Sequence, residues 1–172
     1  MTEAIERVVT HGTFSLDGGT WEVDNNVWII GDNTHVTIID PAHDVDKIAT
    51  KVAGRTVEKI LLTHAHDDHI RSAKEAAERF KAPVYLNPED RVLWEMVYPS
   101  WDFDGPLHDG QKIRVGTTEL HVLATPGHSP GSVCFYAPEL SWENSEGVLF
   151  SGDTLFKGGP GATGRSYSDF DT

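Results

Sequence analysis

A chain of 172 residues with 38% hydrophobic and 24% charged positions holds enough apolar material for one compact core, so a single domain over residues 1–172 is expected. With 27 acidic against 14 basic residues and a net charge of -13, it is a poor match for nucleic acid or an anionic membrane surface, both of which attract basic patches. Cys134 is the only cysteine, no run is apolar enough to span a bilayer, and the first ten residues lack the basic start and apolar stretch of a signal peptide, which together point to a reduced, cytoplasmic protein.

The first forty residues alternate apolar and polar positions around the turn pairs Asp17-Gly18 and Asp32-Asn33, which predicts hairpins with strands at Asn26 to Ile30 and Val36 to Ile39. Val45, Ile48, Ala49 and Val52 recur at helical spacing, with Asp44 placed to cap the helix and Gly54 to end it. A strand follows at about Lys59 to Leu62. The good helix formers between Arg71 and Glu78 predict a second helix from Asp68 to Phe80, stopping ahead of Pro83. Val84 to Leu86 reads as a strand, and Asn87-Pro88 as the cap and first turn of a third helix reaching Val97. Thereafter only strands are predicted, at Ile113 to Val115, Glu119 to Ala124, Val133 to Tyr136 and Val148 to Phe150, with turns at Asp109-Gly110, Val115-Gly116, Pro126-Gly127 and Glu146-Gly147. Beyond Asp153 the chain is Gly-rich, and neither helix nor strand is expected there.

The chemistry concentrates in His64-Ala65-His66-Asp67-Asp68-His69, directly after an apolar strand. Imidazoles and carboxylates packed so closely repel or compete once charged, and a metal resolves the conflict, since neutral imidazole and ionised carboxylate are the ligands that zinc, iron or manganese accepts. Only a bent loop after Thr63 can aim both His64 and His66 at one ion. Asp67 reads as a helix cap. His128, in Thr125-Pro-Gly-His-Ser-Pro-Gly131, and Asp153, in Ser151-Gly-Asp153, each follow a strand as well, so every candidate ligand lies just past a strand's C-terminal end, where α/β architectures gather their active sites.

His64-x-His66-x-Asp68-His69, Thr125-Pro-Gly-His128 and Ser151-Gly-Asp153-Thr-Leu-Phe156 resemble, in order, the H-x-H-x-D-H signature and the next two motifs of the metallo-β-lactamase superfamily, and Ile38-Ile39-Asp40-Pro41 is similar to its opening strands. The resemblance implies an α/β (α+β) fold, a four-layer αββα sandwich with a two-metal site between its sheets. It places His64, His66 and His128 on a first metal and Asp68 and His69 on a second, with Asp153 bridging the two. Zinc, as one or two ions, is the implied cofactor, with iron or manganese as alternatives. The motif versions look most like glyoxalase II (hydroxyacylglutathione hydrolase), which implies hydrolysis of a small-molecule thioester by metal-activated water. Asp68 would orient that water and pass a proton to the leaving group.

Ile70-Arg71-Ser72 stands where the family often has two glycines. The family also supplies a further histidine to the second metal after another helix and strand, whereas no histidine follows His128. The expectation is therefore a fold without its final helix-strand-helix region, with a second metal site that is weak, empty or filled by a substitute ligand, and with an open sheet edge able to recruit another copy of the chain. Trp94, Tyr98, Trp101 and Phe103 are either pocket wall or core, core being the commoner role for such a cluster. Arg165 and Tyr167 are candidate contacts to an anionic substrate group. Cys134 reads as a small buried hydrophobe. Two rivals to the hydrolase are a persulfide dioxygenase-type oxidoreductase with a single iron, and a catalytically impaired metal-binding fragment.

Overall fold

The opening strands run longer than their apolar cores suggest. In the computed structural model, which describes residues 3–172, β1 (Ala4–Leu16) and β2 (Gly19–Gly31) form a long antiparallel hairpin in register from Ala4 opposite Gly31 to Leu16 opposite Gly19. Asp17 and Gly18 close it, both at positive φ (52° and 76°), the conformation that matches the right-handed twist of paired strands. β3 (His35–Ile39) adds antiparallel to β2. From there the sheet turns parallel, with β4 (Thr56–Leu61), β5 (Val84–Leu86) and the short β6 (Gly105–Pro106), so that six strands lie in sequence order. β6 has no signal in the sequence, because a two-residue strand containing proline shows no alternation.

The parallel strands need crossovers, and helices supply them. α1 (Val45–Val52) starts where Asp44 accepts a hydrogen bond from the Lys47 amide and ends on Ala53 in the left-handed conformation. Its buried Val45, Ile48 and Val52 pack with Val27, Ile29, Val36, Ile38 and Ile60 in a first core on the helix side of the sheet. Burying each such side chain contributes on the order of 1.5–3 kcal/mol.

The helix expected from Asp68 to Phe80 is broken into α2 (Asp67–Ile70) and α3 (Ala73–Phe80). The break is stabilised from outside. The Tyr98 hydroxyl shares its proton between the carbonyls of Ile70 (2.7 Å) and Arg71 (2.8 Å), and the Ser72 amide donates to Ala42 O (3.2 Å), so these three groups released from the helix ladder find partners. The third helix begins as a single 3-10 turn, Pro88 to Asp90, held by Asn87 Oδ1 accepting from the Glu89 amide, and continues as α4 (Arg91–Val97). Trp94 is 1% exposed and packs against Tyr98, Trp101 and Phe103, so the aromatic cluster is core and not pocket wall.

β7 (Lys112–Val115), β8 (Thr118–Ala124), β9 (Val133–Trp142) and β10 (Ser145–Phe150) form a second, antiparallel sheet in the order β10-β9-β8-β7. The turn expected at Glu146-Gly147 lies earlier, at Glu143-Asn144. Gly147 instead marks a bulge between Glu146 and Val148. Leu120, Val122, Val133 and Phe135 of this sheet meet Ile30, Ile39 and Leu61 of the first in a second core between the two. Helices, first sheet and second sheet thus make three of the four layers that the resemblance implies. Among the described residues no helix covers the outer face of the second sheet, where Tyr136 and Leu149 are exposed. After β10 the chain makes a small ribbon of β11 (Leu155–Phe156) and β12 (Gly159–Pro160), where no strand was expected. No helix among the described residues is long and apolar enough to cross a membrane.

Removing the Tyr98 hydroxyl leaves the carbonyls at the α2–α3 break without their donor. Tyr98→Phe should lower unfolding stability by about 1–3 kcal/mol, measured as a shifted denaturant midpoint at unchanged m-value.

Candidate metal centre

Three strands end at one place. β4 delivers His64 and His66, β8 delivers His128, and β10 delivers Asp153, while α2 carries Asp68 and His69 back toward the same point. His64, His66 and His128 offer ligand atoms within 4.8 Å of one another, and so do Asp68, His69 and Asp153. His66 Nδ1 and His128 Nε2 are 3.0 Å apart. Asp153 sits between the groups, with Oδ1 3.1 Å from His69 Nε2 and Oδ2 3.5 Å from His128 Nε2. The structure therefore brings together all six residues singled out as ligands.

Neighbouring residues fix which ring nitrogens face inward. Thr63 Oγ1 donates to Asp40 Oδ2 (2.6 Å), so toward His64 Nδ1 (3.0 Å) it acts as acceptor, which leaves His64 Nε2 with a free lone pair. His69 Nδ1 bonds the same Asp40 oxygen at 2.8 Å, turning its Nε2 toward Asp68 and Asp153. His128 Nδ1 bonds Ala162 O at 2.8 Å and so carries the proton, which leaves its Nε2 as the acceptor facing His66 Nδ1. Such outer partners set the tautomer of metal-binding histidines. Asp40 itself is a third carboxylate near His64 and His69. Its oxygens are taken, since Oδ1 also accepts the Thr63 amide at 2.8 Å. Gly152, at φ 51°, lets the loop before Asp153 lie against Thr63, where a Cβ would stand 2.4 Å from Thr63 Oγ1.

Asp40 and Asn25 were not singled out from the sequence. Asn25 Nδ2 donates to Asp68 Oδ2 at 2.9 Å and lies 3.3 Å from His69 Nε2. Asp67, read as a cap, instead accepts from the Ser15 amide at 2.9 Å and pairs with Arg71, tying α2 to the β1–β2 hairpin. Arg165 stacks over Trp21 (4.1 Å to the ring centre) and Phe14 (5.3 Å), and Phe14 meets the His66 ring edge-on. Tyr167 is exposed. Cys134 is buried.

A cation fits this donor set. His64 Nε2, His66 Nε2, Asp68 Oδ1 and Asn25 Oδ1 are buried with no hydrogen-bond partner, an arrangement that is costly unless an ion or proton satisfies it. Burial holds His66 down to about 3, with the His128 charge adding to the effect, and burial likewise holds His64 well below the ordinary imidazole value. Both are therefore neutral, as ligands must be. Burial also opposes a proton on His69, but Asp153 and Asp68 raise it well above the usual range, so a positive charge belongs between these carboxylates. Burial raises Asp68.

Residues 20–171 match the family model of the metallo-beta-lactamase superfamily. The chain belongs to that superfamily. It is 34% identical over 140 residues to a protein of Bacillus subtilis named as a probable metallo-hydrolase, YqgX, covering 73% of this chain and 64% of that protein. It is 32% identical over 134 residues to the hydroxyacylglutathione hydrolase of a Synechococcus strain, covering 76% and 49%. Among solved structures, the BLEG-1 B3 metallo-beta-lactamase aligns with a TM-score of 0.74 at 29% identity, over 94% of this chain and 80% of that one. The di-iron-bound form of TTHA1623 aligns with a TM-score of 0.69 at 31% identity, over 85% and 75%. The chain spans about 61–64% of the length of the first curated relatives it matches.

The buried histidines give the metal-free superfamily member a pH signature. The unfolded chain takes up protons on His64 and His66 below about 6.5, whereas folded His66 does so only near 3, so stability falls as pH drops through that interval. His69 acts oppositely, since its contribution is complete below about 6.5 and is lost as pH rises toward its raised value. Unfolding midpoints in chelator are expected to peak near neutrality and fall on both sides. A midpoint flat down to about pH 4 would contradict the buried neutral pair.

Proposed function

We propose that this chain is a metal-dependent hydrolase acting on a small-molecule thioester, with His64, His66 and His128 holding one metal, Asp68 and His69 a second, and Asp153 shared between them. The observation that carries this reading is the convergence of these six side chains at the strand ends with unpartnered buried donor atoms. Zinc is the expected metal, with iron or manganese as alternatives. Divalent ions held there would supply Lewis acidity, which lowers the pKa of water and polarises a carbonyl.

The chain's own residues do the rest. Asn25 orients Asp68 by donating to Oδ2, which leaves Oδ1 free to accept from an incoming water. Burial raises the Asp68 carboxyl, which favours carriage of a proton, and the departing thiolate can take that proton. Beside His66 lies a cavity of about 340 Å³ with an apolar side of Leu16, Leu93, Met96 and Val97 and a polar side of Ser15, Asp67 and Arg71, and an acyl chain would lie along the apolar side. Arg165, held on Trp21 and Phe14 at the His66 side, and the exposed Tyr167 two residues on would contact an anionic group of the substrate. Thioester specificity is supported by the hydroxyacylglutathione hydrolase relative. The B3 metallo-beta-lactamase likeness makes lactams the natural counter-substrate.

The test combines metal analysis with turnover of a hydroxyacylglutathione thioester, its oxygen-ester analogue and a β-lactam. Bound zinc, or two bound irons, with thioester cleavage favoured is the expected result. Asp68→Asn should lower kcat by about 10²-fold or more. A single iron with oxygen consumption on a persulfide, or metal binding without turnover of any of these substrates, would replace the hydrolase reading with one of its rivals.

A further inference from the structure

Asp90 is a carboxylate with no exposure at all, and neither its sequence context nor the metal ligands draw attention to it. It ends the 3-10 turn that follows β5, where Asn87 and Pro88 fix the backbone and the Asp90 amide donates to Asn87 O at 3.0 Å. From there it reaches two loops that carry three histidines. Its Oδ2 accepts the Ala65 amide at 2.8 Å, from the peptide between His64 and His66. The same oxygen accepts Ser129 Oγ at 2.8 Å, from the residue after His128, and Oδ1 accepts the Gly131 amide at 2.5 Å. Ser129 Oγ is also bonded to Ser132 Oγ at 2.7 Å, and both serines are buried. Gly131 is a glycine for the same reason, because a Cβ there would stand 2.6 Å from the Asp90 amide nitrogen.

We infer that Asp90 is the positioning residue of the first metal site, a buried clasp that sets the separation of the His64–His66 loop from the His128 loop. The Val133 amide ties the base of the second loop to Thr63 O at 2.8 Å, but the Ala65 and Gly131 amides have no backbone acceptor, so nearer the histidines the separation of the loops is set by what accepts from these amides. One carboxylate accepting from both couples the two, and an ionised acceptor makes each bond shorter and stronger than a neutral one would. The inference rests on the ligand assignment proposed above for its consequence in metal affinity. Its geometric part, the coupling of His66 to His128, stands in the metal-free protein.

Asp90→Asn isolates the effect at nearly constant volume. An amide has only one accepting oxygen, so in either orientation its NH2 group faces a backbone N–H, that of Gly131 or that of Ala65. Ser129→Ala removes one bond and keeps both amide contacts, and it decides the matter if the Asn variant does not fold. Three measurements apply to each variant: imidazole resonances of His66 and His128 in metal-free protein, metal-free thermal midpoint, and cobalt(II) affinity in a His69→Ala background that leaves only the His64, His66 and His128 group intact. The expected result is displaced His66 and His128 resonances and a cobalt affinity about 10–100-fold weaker for Asp90→Asn, with a several-fold loss for Ser129→Ala. A lower thermal midpoint with unmoved resonances and unchanged cobalt affinity would show that Asp90 only stabilises the fold, and would overturn the proposal. If the His69→Ala protein bound no cobalt at all, the ligand assignment would fail, and the resonances would still decide whether Asp90 couples the loops.

Discussion

Where β4 ends, the chain stays buried through Leu62 to His66, and the loop after β8 returns to the interior at Ser129, so the amides carried there must find acceptors away from water. Two buried aspartates answer this demand. Asp40 takes the amide and hydroxyl of Thr63, and Asp90 takes the amides of Ala65 and Gly131 with the hydroxyl of Ser129. The irregular backbone that aims the histidines is thus organised by side chains that bind nothing themselves. Both aspartates come from positions just after parallel strands, Asp40 after β3 and Asp90 a short turn after β5, so they flank the end of β4 from either side.

The second constraint is electrostatic. The site gathers histidines and aspartates where water is scarce, and it does so with opposite tendencies on its two sides. Around His64 and His66 burial favours neutral imidazoles, while around His69 the carboxylates Asp153 and Asp68 call for positive charge. Asp153 belongs to both sides, reaching His69 with one oxygen and His128 with the other. A cation is the ligand that lets both halves keep these preferences at once, because it needs neutral imidazoles and offsets the carboxylates. Asn25, uncharged, adds a donor to Asp68 without altering that balance.

Much of this was legible in the sequence, and what was hidden was hidden for physical reasons. The ligands stood out because six chemistry-bearing residues follow three strand ends, and local signals place strand ends well. Asp90 and Asn25 gave no signal because their partners lie 25 to 44 residues away, and an Asn in a strand or an Asp at a helix start has ordinary local uses. The continuous helix expected over Asp68 to Phe80 failed because Arg71 and Ser72 are adequate helix residues. It is Tyr98, 27 residues on from Arg71, that makes the break favourable. Trp94 and its aromatic neighbours could have been wall or core by composition, and only the packing of α4 against the first core decided it.

The hairpin tip beside His66 is pinned from the far part of the chain: the Ser166 amide bonds Asp17, 149 residues earlier, and Arg165 lies on Trp21. Contacts of such separation form late, because a long loop must close before any of its bonds are gained. The flank that shelters His66 is therefore closed by a segment made well after the hairpin itself. During synthesis the imidazoles of His64, His66 and His69 are made well before the segment that encloses them, and for that interval they face solvent in an unfinished fold. Speed of folding, and not only final stability, thus bears on how cleanly this site is assembled.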